Sequence, residues 1–486
     1  MKKLAFIINS NKIHLCTYTC IEYLSKEIAD ICIEIFIDEN VKGNTLAFSR
    51  FSKFIDSKFN NFTKKPLDYK DVIHLEKQTN ITIINDFSNL NSCDYIIFET
   101  KQSIDIKYKK KSKKGFISLN ITYESIINST LFQKDIPLSI IHNSLNSTEW
   151  NAIFYIELKK EKGIVNNANK VFFNYSIFLA KLLNNEDLFD KSTQSVKVDS
   201  LKPKYRIKLI NYYIKLTWLI LTRKLAVKKL NWKIAIKENN KLIFLKQPKK
   251  SFWADPFIIK QDYGSVIYFE ELKQNNVGRI SCLKLNETHE IIENKVVLDE
   301  NYHLSFPNIF FKDSNYYMIP ESSQNNNLQL YKCEEFPYKW KFKMNLMEKI
   351  KLLDAIWLYH DNLYWIFANK IEDFEYDNNE KLYLYYSQDL FSNNWQPHMK
   401  NPIITDSKRA RNAGNFIHKN NKTFRVSQKC LNAYGENLIL NEIKKLSVTD
   451  YKEIAVEEIF PQNGYVGIHT LNSSENLEVF DLLIEE

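Results

Sequence analysis

The sequence predicts two domains of different class: a doubly wound α/β domain over residues 1–200 and an all-β five-bladed propeller over residues 231–486. A basic helical linker, residues 201–230, joins them. Three observations carry this. Near-continuous apolar strands alternate with helical stretches in the first part, the pattern of a parallel sheet covered on both faces. The second part repeats itself at a period near 50 residues, built from short aromatic strands and polar turns, which is the pattern of propeller blades. A hydrophobic content of 44% with 14% aromatics belongs to a folded chain, not a disordered one.

In chain order, Lys3 to Asn9 reads as the first strand, Leu15 to Ile28 as a helix and Ile31 to Asp38 as the second strand. Ile81–Ile84, Tyr95–Phe98 and Gly115–Leu119 continue the apolar strands, and the regular part ends near residue 185. Six lysines between Lys107 and Lys114 form either a solvated loop or an anion site. Lys202-Pro203-Lys204 reads as a linker. After it, Tyr205 to Leu230 is a basic helical stretch with Ile207, Ile210, Ile214, Trp218 and Leu221 on one stripe. Such a helix either packs between domains or lies on a membrane surface.

The repeat begins at Phe252-Trp253-Ala254-Asp255-Pro256-Phe257 and returns at His303-Leu304-Ser305-Phe306-Pro307-Asn308, 51 residues on when measured between the prolines. A third copy runs from Leu353-Asp354-Ala355 through a turn at His360-Asp361-Asn362. A fourth runs from Arg411-Asn412-Ala413-Gly414 through a turn at His418-Lys419-Asn420, 58 residues after the third turn. Gly467–Leu471 with Leu477–Phe480 gives a final partial copy, which Trp232–Ile236 and Leu242–Leu245 close from the other end.

The net charge of +9 is modest for 486 residues; it is compatible with an anionic substrate or a membrane surface and requires neither. No nucleic-acid partner is expected. Seven scattered cysteines with no CxxC pair fit reduced thiols in a cytosolic protein and give no zinc signature. The apolar run Leu4 to Ile8 is too short for a signal-peptide core. The expected location is the cytoplasm, peripheral at the inner membrane if the acceptor is lipid-linked.

Residues 250–486 resemble the propeller region of glucosamine inositolphosphorylceramide transferase and similar bacterial proteins. The resemblance rests on Trp253–Phe257, Phe269-Glu270-Glu271, His303–Pro307, Met318–Ser322, Asp354-Ala355, Ala410–Gly414, Tyr434-Gly435 and Gly467–Leu471. The wider group is similar to the five-bladed propellers of furanosidases, mannoside phosphorylases and mannosyltransferases. In the ceramide transferase family the propeller accompanies a separate transferase domain, of which no counterpart is expected in these residues. The first domain resembles a formyltransferase, but around Asn120 there is no His, and Ser147–Asn151 lacks the family's Asp. The resemblance therefore implies a degenerate formyltransferase fold with a binding or scaffolding role.

Innermost strands of a five-bladed ring converge on one axial pocket, so acids far apart in sequence can meet there. Asp255 and Asp354 occupy corresponding places two blades apart, and Glu321 ends a strand between them. Two or three carboxylates around a sugar supply an acid or base and a counter-charge for the anomeric carbon. The candidate catalytic residues are Asp255, Glu321 and Asp354. Trp253, Glu271, His303, Arg411, Asn412, Tyr434 and His469 form the candidate ligand-binding set, with Tyr302 and Trp357 as further aromatics. A capping role for the aspartates and interblade packing for the aromatics are the structural alternatives. No Gly-rich phosphate loop, DxD pair or metal-ligand cluster stands out, so neither cofactor nor metal is expected. The expected function is glycosyl transfer from an activated sugar or glycan, with a lipid-linked acceptor at a membrane surface as one partner. A hydrolase or phosphorylase using the same carboxylates, and a non-catalytic glycan-binding module, are the alternatives.

Overall fold

The computed structural model describes all residues except 11, 42–53, 56–57, 59–68, 100, 120–122, 133–134, 148, 186–204, 224–229, 240, 250, 274–275, 373–377, 432, 462–463 and 486. The expected linker Lys202–Lys204, Asn120 and Thr148 lie outside the described residues. The chain divides into two units, Met1–Ala226 and Val227–Glu486.

The first unit is built on a seven-stranded sheet in the order Ile81–Ile84, Ile31–Ile37, Lys2–Ile8, Cys93–Phe98, Ser112–Leu119, Asp135–Asn143, Asn151–Lys159. The first five strands are parallel and the last two antiparallel. Helices α1 (Leu15–Glu27), α2 (Ile106–Lys109), α3 (Tyr123–Phe132), α4 (Ile164–Asn184) and α5 (Tyr205–Arg223) accompany it. The double winding expected from the sequence is only half realised among the described residues. Alternate strand residues Leu4, Phe6, Ile33, Ile35 and Ile97 pack with residues of α1, α3, α4 and α5 in one core. The opposite residues Ala5, Ile7, Phe36, Ile96 and Phe98 pack against Leu90 from a turn and Tyr108 from the four-residue helix α2. Helix α5, expected to link the domains, contributes Tyr213 and Leu216 to the first unit's core. The lysine run is not a free loop either: Lys107 pairs with Asp38, and Lys111 donates to the Leu90 carbonyl.

The second unit is a five-bladed propeller. Blade I holds strands Trp253–Gln261, Gly264–Leu272, Gly278–Leu285 and Ile291–Leu298 from the axis outward. Blade II holds Ser305–Lys312, Asn315–Glu321, Asn327–Glu335 and Lys339–Glu348; blade III begins at Leu352–His360 and blade IV at Arg411–Asn412. Blade V takes Gly467–Ser474 and Leu477–Glu485 from the end of the chain. Leu230–Glu238 and Lys241–Phe244 complete it. The ring therefore closes with strands from both ends of the unit, as the partial copies predict. Inner hairpins turn on consecutive left-handed residues, Asp313-Ser314, Asp361-Asn362 and Asn420-Asn421, the geometry that matches strand twist in two-residue hairpins.

The innermost strands carry the feature that positions the site. Pairing to the second strand slips between Ala254 and Phe257, Ser305 and Asn308, Leu353 and Ile356, and Ile468 and Leu471. Each slip is a bulge, which bends the strand and re-aims a side chain. At the bulges of blades I, II and III, Asp255, Phe306 and Asp354 adopt φ of 51°, 43° and 46°. Left-handed backbone is tolerated by Asp and costly for Phe, so it persists only where the surroundings enforce it. In blade IV the same place is a break at Gly414, φ 131°, where an added Cβ would lie 2.0 Å from the Leu471 carbonyl oxygen.

Candidate functional site

The bulges bring ionisable groups from all five blades together: Asp255 and Glu270 from blade I, His303 and Glu321 from II, Asp354 from III, Arg411 from IV, and His469 and Asp481 from V. All but His303 are buried, and His303 is half-buried.

Two sub-clusters meet here. In the first, His469 lies between two acids, Nε2 2.9 Å from Asp255 Oδ1 and Nδ1 3.0 Å from Asp481 Oδ2. Its ring packs against Trp232 at 4.2 Å and Tyr434 at 5.3 Å between centroids. Burial opposes the imidazolium, but the charges of Asp481 and Asp255 outweigh it and raise the His469 pKa to about 10. Asp481 accepts the backbone N–H groups of Asp255 at 2.9 Å and Thr470 at 2.9 Å, so one carboxylate pins the bulges of blades I and V. Asp255 accepts the Thr470 hydroxyl at 2.9 Å and the Phe306 N–H at 3.3 Å. Burial works against its ionisation, yet the His469 charge and these hydrogen bonds prevail, and its pKa falls below the usual carboxylate value.

In the second, Arg411 binds Asp354 through Nε, while its Nη2 lies 3.9 Å from Glu321 Oε2. Glu321 accepts the Ser323 hydroxyl at 2.9 Å. Burial and the adjacent Asp354 push the Glu321 pKa up to about 8. Burial pushes Asp354 up as well, against the pull of Arg411. Beside them His303 accepts the Gly278 N–H at Nδ1, 2.9 Å, and places Nε2 3.1 Å from Glu270. Gly278 is required here, because a Cβ would lie 2.4 Å from the Leu304 carbonyl oxygen and 2.9 Å from Glu270.

The three candidate catalytic acids thus fall within one cluster but in unlike environments. Separated pKa values on neighbouring carboxyl groups are what acid–base chemistry at neutral pH needs. Arg411, His303, His469 and Tyr434 lie in or against the cluster; Tyr434 is exposed, with the Arg411 guanidinium 5.9 Å from its ring centre. Three other candidates do not present themselves to a ligand. Trp253 is 1% exposed and packs on Phe269 in the core between blades V and I. Glu271 is held by Arg279 and Ser281 on the face opposite Glu270. Asn412 is fully buried, donating to the carbonyls of Asp354 and Phe367 and accepting from Arg425. Trp357 packs on Phe310, and Tyr302 donates to Gln329. Sequence reading missed Asp481, Thr470 and Trp232. The one available signal was an acid, Asp481, inside the otherwise apolar run Val479–Ile484.

Asp255, His469 and Asp481 are also a ligand set able to hold a metal ion, their donor atoms lying within 4.8 Å of one another. In its protonated form His469 makes the same two pairings, with each ring nitrogen facing a carboxylate. Among the described residues no helix is long and apolar enough to cross a membrane.

The family described as Glucosamine inositolphosphorylceramide transferase 1, N-terminal, matches residues 244–475, the propeller almost in full. Glucosamine inositolphosphorylceramide transferase 1 of Arabidopsis thaliana is 32% identical over 212 residues, covering 42% of this chain and 27% of the plant protein. The protein of the same name from Oryza sativa subsp. japonica is likewise 32% identical over 212 residues, covering 42% and 28%. The chain therefore spans little more than a quarter of the length of these curated relatives. Among solved structures, a family 117 glycoside hydrolase of Zobellia galactanivorans aligns over 52% of this chain and 90% of its own, with 8% identity and a TM-score of 0.36. The propeller is thus similar in sequence to part of the proteins named glucosamine inositolphosphorylceramide transferase 1.

Proposed function

We propose that the propeller cluster is a carbohydrate site that transfers a glycosyl group from an activated sugar to a lipid-linked acceptor, as a step in glycolipid or surface-glycan assembly. The observation that carries it is the convergence of Asp255, Glu321 and Asp354 from three blades with their proton affinities driven apart. Glu321 holds a proton at neutral pH and gives it to the departing oxygen as the bond to the anomeric carbon breaks. The resulting carboxylate takes the proton of the acceptor hydroxyl as the new C–O bond forms, so the group returns to its starting state. Asp255, kept ionised by His469, balances the positive charge that develops on the sugar. Arg411 orients Asp354 and Glu321. Similarity to a protein named for inositolphosphorylceramide supports the sugar and lipid classes. The first unit we read as a formyltransferase-like scaffold with a binding role, in keeping with its α/β sheet and with His142 being engaged at the Lys114 carbonyl.

A binding module is the second reading. It is favoured by the saturation of Asp255, whose two oxygens already meet Thr470, His469 and Phe306. The test is to incubate the protein with labelled UDP-N-acetylglucosamine and phosphatidylinositol or inositolphosphorylceramide vesicles and count label in the lipid phase. Transfer is expected, and Glu321→Gln is expected to lower it by ~10²-fold or more, the scale of a lost general acid. Saturable binding of these compounds without any transfer supports the module instead.

A further inference from the structure

Among the described residues of the first unit, the stripe singled out in the basic helical stretch stays out of the core. Ile207, Ile210, Ile214, Trp218 and Leu221 are each between 60% and 65% exposed. They do not form the face that holds α5 in place: that face is Leu209, Tyr212, Tyr213, Leu216 and Ile220, packed into the first unit's core. At about 100° per residue the five exposed side chains fall within about 80° of arc, opposite the buried set, and run for roughly 21 Å along the helix. A helix apolar on both sides with only one side covered leaves a large apolar patch in water, which marks an interaction surface.

Charge decides what covers it. Residues 201–229 hold nine Lys or Arg and no Asp or Glu, and Lys208 and Lys215 are exposed on one flank of the stripe. Two copies meeting through this face would bring like charges together, which disfavours self-association. The helix does not meet the length and hydropathy of a membrane-crossing segment. Isoleucines and a tryptophan facing outward, flanked by basic residues, is the pattern of a helix lying in the interface of an anionic bilayer. We infer that α5 docks the chain on an anionic membrane surface, with Ile207, Ile210, Ile214, Trp218 and Leu221 inserted below the headgroups and the surrounding lysines and arginines against them.

This stands on the first unit alone and goes beyond the proposed glycosyl transfer, so the two can fail separately. The full chain is floated with vesicles of phosphatidylcholine containing about one-third phosphatidylserine, and with phosphatidylcholine alone. The protein should rise with the anionic vesicles, less so in high salt because basic residues are screened. The pair Ile214→Glu and Trp218→Glu should reduce the bound fraction at least tenfold with the thermal melt unchanged. Should that pair disturb folding, Ile214→Asn with Trp218→Ser is read in its place. Failure of the unaltered chain to float, or equal flotation of a folded variant, overturns the proposal. A dimer in solution that the variant splits, with no vesicle binding, overturns it in favour of a contact between copies.

Discussion

The two units treat buried charge in opposite ways. At the strand ends of the first unit, Asp38 is met by Lys107, Tyr108 and the Asn40 N–H, a local arrangement that leaves the acid ionised. On the propeller axis, Asp255, Glu270, Glu321, Asp354 and Asp481 are gathered with one arginine and two histidines, so positive groups are too few to ionise all five. Burial and like charge then raise Glu321 and Glu270. A parallel sheet ends in one place for each strand and can satisfy each acid singly. A ring of blades forces equivalent positions to face one another, so a repeat that carries an acid concentrates it. The consequence is a site whose proton affinities are set by neighbours from other blades, and this is open to experiment.

The largest expected effect is on the frame behind the axis. Arg425 is fully buried and binds Glu453 through Nε at 3.0 Å and Nη2 at 2.7 Å, Asn412 Oδ1 at 3.0 Å, and the Arg409 carbonyl at 2.7 Å. Arg425→Met leaves Glu453 buried without its main partner and frees Asn412, which holds the Asp354 bulge. A loss of ~3–5 kcal/mol is expected. Hydrogen exchange resolved by peptide should show faster exchange throughout residues 230–485 and unchanged protection in the first sheet. Equal loosening of both would mean that the units unfold as one.

The next effect carries a sign. Glu321 has its pKa raised to about 8 from the ordinary glutamate value. A raised acid binds its proton more tightly when folded, so it costs nothing below about pH 4.5. The cost grows as pH climbs toward 8 and is constant above that. Glu321→Gln removes the term. Denaturant titrations at a series of pH values should find the variant's advantage over the unaltered chain rising between pH 5 and 8 to about 4 kcal/mol. A variant less stable at every pH would show that the carboxylate is ionised and structurally required, and would remove Glu321 as the acid.

How far the sequence discloses this depends on the kind of feature. Blade number, closure by Trp232–Ile236, and the equivalence of Asp255 with Asp354 follow from the spacing of the copies, because each blade is one repeat of the same hairpins. The choice between Glu270 and Glu271 does not. Adjacent strand residues face opposite ways, and a bulge upstream shifts which of them points inward. Asp481 is hard to place for a related reason: its partners are Asp255 and two residues of a neighbouring strand, and an acid inside an apolar run does not say what it faces. Trp253 and Asn412 sit in the most recognisable motifs, yet their side chains serve packing and bulge geometry. The stripe on α5 was visible, but periodicity could not say which of two apolar faces would be covered. That is decided by tertiary packing against α3 and the rest of the first unit's core.

The smallest effect belongs to the first unit and should run the other way with pH. Burial alone would favour the neutral form of Asp38, but hydrogen bonds from Lys107, Tyr108 and Asn40 bring its pKa down to about 2. A depressed acid adds stability that is present above about pH 4 and is lost as pH falls through 2. The Lys107 side chain is 35% exposed, so the contribution is discounted for solvent to about 1 kcal/mol. Asp38→Asn should therefore weaken protection of the strands Lys2–Ile8 and Ile31–Ile37 at pH 7, with the difference from the unaltered chain vanishing near pH 2. Blade strands in the same sample should not respond, whereas Glu321→Gln should alter them and leave Lys2–Ile8 untouched. If Asp38→Asn shifts blade protection as strongly as its own sheet, charge is not managed separately in the two units, and the contrast between local pairing and axial crowding does not hold.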